Sequence, residues 1–399
     1  FIASFSQWFG LSIVIGVISY IIVPFIRDIF FNLELNNISD FLEIGYVRLF
    51  ISLMLIWSFV LVNILGGKVY KNTLIPMLVI MFVLGSIVII TGFIYDQKDF
   101  INSVLSSDNR VIETISDSKF DLKIFLTAAT LMFSSFIGFD AIAQTGNEAK
   151  NPTKNIPRAI LLAIFIVASY YILFTVSVYN VVPWNFVADE SLTKDITAPG
   201  LLSYVLPSFW GILIIIGAAI ALINDLPAMI LSVSRLMFAW ARDNIFPSSV
   251  AIIHSKFKTP YIAIIFVGIV ASIGAIGSHF AGDFFLGIDI MVTSMMINFL
   301  LMCITIISIE KVNQKLFRTI TVIKNRRIQL FIGYAGSLII LMFLIIHTYK
   351  DLSSNVKEWY FHSTYIYLIV MFIASIYFVF RWKKIKVKNI NTFKTLPVE

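Results

Sequence analysis

Uncharged apolar stretches long enough to cross a bilayer recur along the whole chain, at 9–26, 49–67, 72–95, 159–188, 196–224, 261–282, 290–309, 328–347 and 363–380. At about 1.5 Å of rise per residue, a helix of roughly 18 residues or more crosses most of a hydrocarbon layer about 30 Å thick. Adding 124–144, which Asp140 interrupts, predicts ten spans. A lipid-exposed barrel would show short segments of alternating polarity, and these runs do not alternate. The pattern predicts an all-α polytopic membrane protein.

Breaks in the apolar pattern predict how the spans join. The first ends near Pro24, and the segment 27–46 mixes Asn32, Asn36 and Asn37 with Phe and Leu, as a short surface helix would. Asn63, Gly66 and Gly67 form a tight basic turn with Lys68, and Pro76 falls early in the third span, where a missing amide is tolerated. Asn155 is placed to cap the fifth span, with Asn151-Pro152 and Asn155 to Pro157 as turns. Pro199 and Pro207 frame a short apolar piece at the membrane surface. Pro227 predicts a kink in the sixth span just after Asp225, Asn244 a left-handed turn at its exit, and Pro260 the start of the seventh.

Composition sharpens the class. The 399 residues are 59% hydrophobic and 13% charged, against about a quarter charged in soluble domains, which excludes a water-soluble fold. The net charge of +7 is distributed as a membrane protein distributes it, not as a nucleic-acid binder does. If the spans alternate in direction, the segments around Lys68, 150–158, 235–258, 311–327 and the tail from Arg381 share one face and carry most of the 30 Lys and Arg. The opposite face carries most of the acids, among them Asp28, Glu43, Asp96, Glu113, Asp117, Asp189, Asp195 and Asp351. The positive-inside rule then makes the first face, and the C-terminus, cytoplasmic. The tail at 381–388, RWKKIKVK, is read as meeting anionic lipid. Cys303 is the single cysteine, so disulfides and cysteine-ligated metals within one chain are excluded, and no cofactor is expected. The chain opens at Phe1 almost directly on a span, with no basic leader and cleavage site, so a truncated chain is expected rather than a signal peptide.

The most informative stretch is 123–158, where an apolar run of membrane length carries Ser134, Ser135, Gly138, Asp140 and Gln144. Polar groups at such depth are expensive and mark function or close packing. Ser134 to Gly138 is where a helix can open, because Ser side chains compete for backbone partners and Gly carries no packing commitment. The plainer reading is that these small residues only let helices approach.

The residues here resemble a known family. Gly138-Phe139-Asp140, then Glu148, Asn151-Pro152 and Ile156-Pro157-Arg158-Ala159, are similar to the signature of the amino acid/polyamine/organocation permeases. Ser234-Arg235, Ala241-Arg242-Asp243, Pro247 and Thr259-Pro260 resemble that family's cytoplasmic stretch after its eighth helix, with Asn244 where a glycine is usual. NILGGK at 63–68 resembles its turn between the fourth and fifth helices. The order and spacing of the blocks align the ten spans with the family's third to twelfth helices, so the resemblance implies that the first two are absent here.

What the resemblance implies is a LeuT-like fold, two inverted five-helix repeats plus two outer helices, with alternating access around a central site. Residues 1–399 then form a single permease domain: 1–95 match helices three to five, 122–309 the second repeat, 328–381 the outer helices, and 382–399 a cytoplasmic tail. The fourth span would be the broken helix of the second repeat. Its bare N–H and C=O groups would replace the hydration of an amino acid's carboxylate and ammonium.

The resemblance assigns substrate binding to Phe133, Ser134, Ser135, Phe136, Ile137 and Gly138. It implies an aromatic lid where this chain has Ser134, so the smaller residue implies a roomier pocket or closure by another ring. Coupling or gating falls to Asp140, Asn224, Asp225 and Asp289, each of which also reads as a structural hydrogen-bonding group. Asp289, Thr293 and Asn298 lie roughly on one helical side, an interior-facing stripe. Arg158, Arg235 and Arg242 with Glu148 and Asp243 read as a cytoplasmic cluster, either an inner gate or a simple positive surface.

Proton-coupled members of the family carry a lysine in the fifth helix, whereas the third span here has no charge after Lys71. A proton or sodium co-substrate must then act through other groups, or the protein exchanges or facilitates. The expected partners are an amino acid and the lipid bilayer of the cell membrane, with polyamines or other organocations as the alternative. A membrane-embedded enzyme is the rival class, and it would need convergent ligands or a nucleophile with its base. His254, His279, His347 and His362 sit in or near loops and are not spaced as ligands. A channel would show a continuous polar filter or a charged ring, and isolated Ser, Asp and Asn positions do not form one.

Overall fold

The computed structural model describes residues 1–112, 120–144, 146, 149–192, 196–281, 285–318, 320, 322–356 and 358–387. Glu148 of the signature and cytoplasmic cluster, Glu113, Asp117 and Asp195 of the acidic face, and the tail beyond 387 lie outside the described residues. Among those described, 10 helices are long and apolar enough to cross a membrane, as the apolar runs predict, so the chain is a multi-pass all-α membrane protein.

The long helices are α1 (Ile2–Asn32), α2 (Gly45–Ile64), α3 (Gly67–Ile94), a fourth span split into α4 (Leu122–Met132) and α5 (Ala141–Gln144), α6 (Pro152–Val181), α7 (Ser208–Arg242), α8 (Tyr261–Ala281), α9 (Phe285–Val312), α10 (Arg326–Ser353) and α11 (Ser363–Val387). The apolar pattern places each span but not its ends, because backbone hydrogen bonding continues past the hydrocarbon edge wherever nothing stops it. The run at 196–224 divides at Pro207 into a short helix, Ala198–Leu202, and α7. That at 159–188 divides at Pro183 into α6 and the short helix Trp184–Ser191.

Two local expectations are corrected. α3 begins at Gly67, so Pro76 sits inside the helix and not in its first turn. α6 begins at Pro152 with Asn151 in the left-handed region (φ 46°) as its N-cap. Asn155 lies within the helix, its amide donating to the Lys150 carbonyl at 2.6 Å. The helix nucleates earlier than expected because Pro152 is pre-set for a first helical position. The surface helix expected in 27–46 is present at Asn36–Glu43, and Asn244 is left-handed at φ 61°. α7 runs without interruption through Pro227.

α1 is the axis of the bundle, enclosed by α7, α8, α9 and α2. Its crossing with α8 has almost no side chain between the backbones. A Cβ on Gly16 would stand 2.0 Å from the Ala271 carbonyl oxygen, and one on Gly274 would stand 2.3 Å from that of Ile13. The surrounding core is apolar and fully buried at Ile15, Ile22, Ile56, Leu226, Ile230 and Ile264.

Pro24 lies inside α1 and has no amide for the Tyr20 carbonyl one turn earlier. Arg48, at the start of α2, supplies the missing donor: its Nε donates to the Tyr20 oxygen at 3.0 Å while the guanidinium lies 3.9 Å over the Tyr20 ring. Arg48→Leu is expected to lower stability by about 1–3 kcal/mol, the cost of an unsatisfied buried acceptor. Thermal unfolding in detergent checks this, and an unchanged midpoint would show that the carbonyl finds another donor. At the other end of α2, Gly66 (φ 95°) turns the chain. There Thr259 Oγ1 donates to the Ile64 carbonyl at 2.8 Å, and Asn63 Nδ2 donates to the Pro227 carbonyl at 3.2 Å. The NILGGK turn is thereby bound to α7 and to the entry of α8.

Candidate functional site

The fourth span opens where Ser134 to Gly138 predict. α4 starts on a cap, with the Asp121 carboxylate accepting from the amides of Lys123 and Ile124, and tightens at Phe133–Phe136 into a single 3-10 turn. Ile137 then extends (φ −70°, ψ 137°) and Gly138 turns back at φ 126° before α5 resumes. The amide of Ile137 goes to the Ser134 carbonyl and that of Ala141 to the Gly138 carbonyl, each one residue short of the α-helical partner. The ladder of backbone hydrogen bonds is interrupted within the membrane.

The break lines a cavity of about 490 Å³, within the roughly 300–1,000 Å³ of small-molecule sites. Ser134, Ser135, Phe136, Ile137 and Gly138 all form its wall, opposite Val14 and Ile18 of α1, Ile164 and Val167 of α6, Asp225 and Met229 of α7, and Met291 of α9. Phe133 does not line it, and packs edge-on against Phe299 at 5.9 Å between ring centres. Tyr171 of α6 ties the break in place, its hydroxyl donating to the Ser135 carbonyl at 2.9 Å and its ring standing edge-on to Phe136 at 5.5 Å. The rings on the cavity wall are Phe136, Phe139 and Tyr171.

A second cavity of about 610 Å³ adjoins the first and shares Ile21, Met81, Val167, Tyr171, Leu222 and Asp225 with it. It extends toward Pro24, Arg48 and the short helix Ala198–Leu202, and its wall is otherwise largely aliphatic and aromatic.

The candidate coupling and gating residues divide. Asp225 reaches both cavities. Its neighbour Asn224 is buried on another side of α7, where its amide meets Met81 Sδ at 3.9 Å. Asp140 is buried just past the break and accepts a hydrogen bond from Gln7 of α1. Gln144 accepts similarly from Ser232 of α7, so α5 is pinned at two points. Asp289 lines neither cavity; its carboxylate is 3.6 Å from Lys350 Nζ, and its carbonyl oxygen is 3.3 Å from His347 Nε2. His347 lies within α10 and is fully buried, not in or near a loop as its position suggested. Thr293 and Asn298 face the interior as expected, both buried. Among the described residues, no group of three or more His, Cys, Asp or Glu is arranged to hold a metal ion.

Gln7, Tyr171 and Met81 were not singled out from the sequence. A polar signal exists for the first two, an amide early in the first span and a hydroxyl inside an uncharged run. Met81 carries none.

Comparison with known proteins decides the family. The family model described as Amino acid permease matches residues 1–374. The chain belongs to the amino acid permease family. The permease is 30% identical over 149 residues to the branched-chain amino acid permease BcaP of Bacillus subtilis, a stretch covering 37% of this chain and 31% of that protein. It is 29% identical over 208 residues to the chloroplastic cationic amino acid transporter 9 of Arabidopsis thaliana, covering 48% and 35%. Over 149 residues it is 31% identical to the methylthioribose transporter of Bacillus subtilis, covering 37% and 31%. In the matched stretches the permease spans about a third of the length of these relatives. The signature, the cytoplasmic block and the turn at 63–68 all fall within the family match, as expected of an amino acid/polyamine/organocation permease.

Proposed function

We propose that the permease carries amino acids across the cell membrane by alternating access, with the solute held at the break between α4 and α5. The observation that carries this reading is the interrupted helix whose residues Ser134 to Gly138 all line one cavity. Exposed peptide groups there substitute for water around a zwitterion at a cost that intact helices cannot match. The family supports the reading, as do relatives whose names specify branched-chain and cationic amino acids. Ser134, Ser135, Phe136, Ile137 and Gly138 bind the solute, and Phe133 supports the turn from behind.

In this reading the helices form the inverted-repeat arrangement of the LeuT fold, with 1–95 corresponding to its third to fifth helices, 122–309 to its second repeat and 328–381 to its outer pair. The basic face is cytoplasmic, and so is the C-terminus. The larger cavity then becomes the outer vestibule. Asp140, held by Gln7 at the inner end of the break, is the group through which a proton or an inner gate acts.

Uptake and counterflow of labelled amino acids into proteoliposomes, with proton and sodium gradients varied, test the proposal. Movement of no amino acid would overturn it. Ser134→Trp tests the site: uptake of large amino acids should fall first and by at least about tenfold, because one indole fills much of the pocket. Equal uptake at every solute size would remove Ser134 from the wall.

A further inference from the structure

Transport of amino acids in general leaves Asp225 without a role. Its carboxylate lies on the boundary shared by the two cavities and, among the described residues, has no hydrogen bond or ion pair. Every other residue on that boundary is uncharged: Ile21, Met81, Val167, Tyr171 and Leu222. The Tyr171 hydroxyl is already committed to the Ser135 carbonyl. One other charged side chain lines either cavity, Arg48, and it is engaged with the carbonyl and ring of Tyr20.

An exposed carboxylate facing an apolar-lined chamber at membrane depth is open to whatever enters, so it is placed to meet a positive partner that is not part of the protein wall. A metal ion would need several oxygens around it, whereas Asp225 is bordered mainly by Ile, Met, Val and Leu. Such a border suits an organic cation, whose methylenes pack against aliphatic side chains while its charged end meets the carboxylate. The placement also suits length. A solute whose α-amino and carboxylate groups sit at the break can extend a long side chain past Tyr171 to Asp225 and the adjoining space.

We propose that Asp225 holds the ammonium or guanidinium group of a cationic side chain, and so makes the permease prefer amino acids of net positive charge over neutral ones. The proposal rests on the transporter reading and fixes its substrate class.

The test is competition between lysine and leucine for uptake in proteoliposomes at neutral pH, in sodium and in choline buffers. Wild type should prefer lysine in both. Asp225→Asn, which keeps the shape and removes the charge, should lower the lysine-to-leucine ratio by about 30-fold or more, as loss of one partner of a desolvated charge pair does. Asp225→Glu should keep lysine preferred, which guards against a folding defect in the amide variant. An unchanged ratio in Asp225→Asn, a wild type that takes leucine as readily as lysine, or a preference that requires sodium would each overturn the inference while leaving the transporter reading in place. A variant that loses only the pH dependence of leucine uptake would overturn it in favour of a proton. If no amino acid moves at all, the transporter reading fails, and this inference with it.

Discussion

Gly16→Leu is expected to abolish the folded permease. The added Cβ alone would stand 2.0 Å from the Ala271 carbonyl oxygen and 2.4 Å from the Ala275 amide nitrogen, and neither backbone atom can rotate away. Overpacking of a core typically costs about 1–3 kcal/mol when side chains give way, and more when helices must separate. Here α1 must move off α8, and α1 is the helix on which α7, α9 and α2 also pack. Loss of the monodisperse peak in size-exclusion chromatography is the expected result, with Gly274→Leu behaving alike. Gly277→Ala is the control: its Cβ would meet nothing within 4 Å, and in a helix interior the change should be neutral or stabilise by up to about 1 kcal/mol. If Gly16→Leu runs as a folded species with normal thermal stability, the two backbones are not in contact.

Gly138→Val should do the reverse, leaving the fold intact and emptying the site. A Cβ at Gly138 would meet nothing within 4 Å, so no clash is involved. The obstacle is the backbone at φ 126°, a region closed to side chains and above all to β-branched ones. Holding a residue in such a region costs on the order of 1–3 kcal/mol, and the segment can escape by closing the break into a regular helix. Solute affinity should then fall by roughly tenfold to a hundredfold, at about 1.4 kcal/mol per decade. Chromatographic behaviour should stay that of the wild type. Binding of unchanged strength in Gly138→Val would mean that the turn at this residue plays no part in holding the solute. The pair of glycines separates two uses of the same residue type: Gly16 is needed for space and Gly138 for conformation.

The number and position of the spans were legible because lipid imposes a single demand on all of them. So was the break, because Ser134, Ser135 and Gly138 are the wrong residues for a lipid-facing helix. Which side of a helix faces inward was legible on α9, where Thr293 and Asn298 mark a buried polar side, but not on α7. In a soluble protein a polar stripe marks the outer face, whereas along most of α7 core and surroundings are both apolar and no stripe distinguishes them. Asn224 and Asp225 show the consequence. They are adjacent, about 100° apart around α7, and one is buried against Met81 while the other opens into both cavities. Periodicity cannot choose between them.

Asp140 was legible as an intramembrane carboxylate but its partner was not, since Gln7 lies 133 residues away in sequence and on a different helix. The ends at Pro76 and Asn155 went astray for a local reason. Both predictions took the edge of an apolar run as the edge of a helix, whereas Gly67 and Pro152 begin their helices in polar sequence.

α6 forms one wall of the site through Ile164, Val167 and Tyr171, while Leu161, Phe165, Ile172 and Val176 on the same helix are exposed. One helix, about 10 Å thick, therefore separates the cavity at the break from the acyl chains. Through the Tyr171 bond to Ser135, a shift of that partition is delivered to the peptide groups of the break. Membrane thickness and lipid order would be felt at the chamber directly, so the composition of the vesicles belongs among the variables of any affinity measurement.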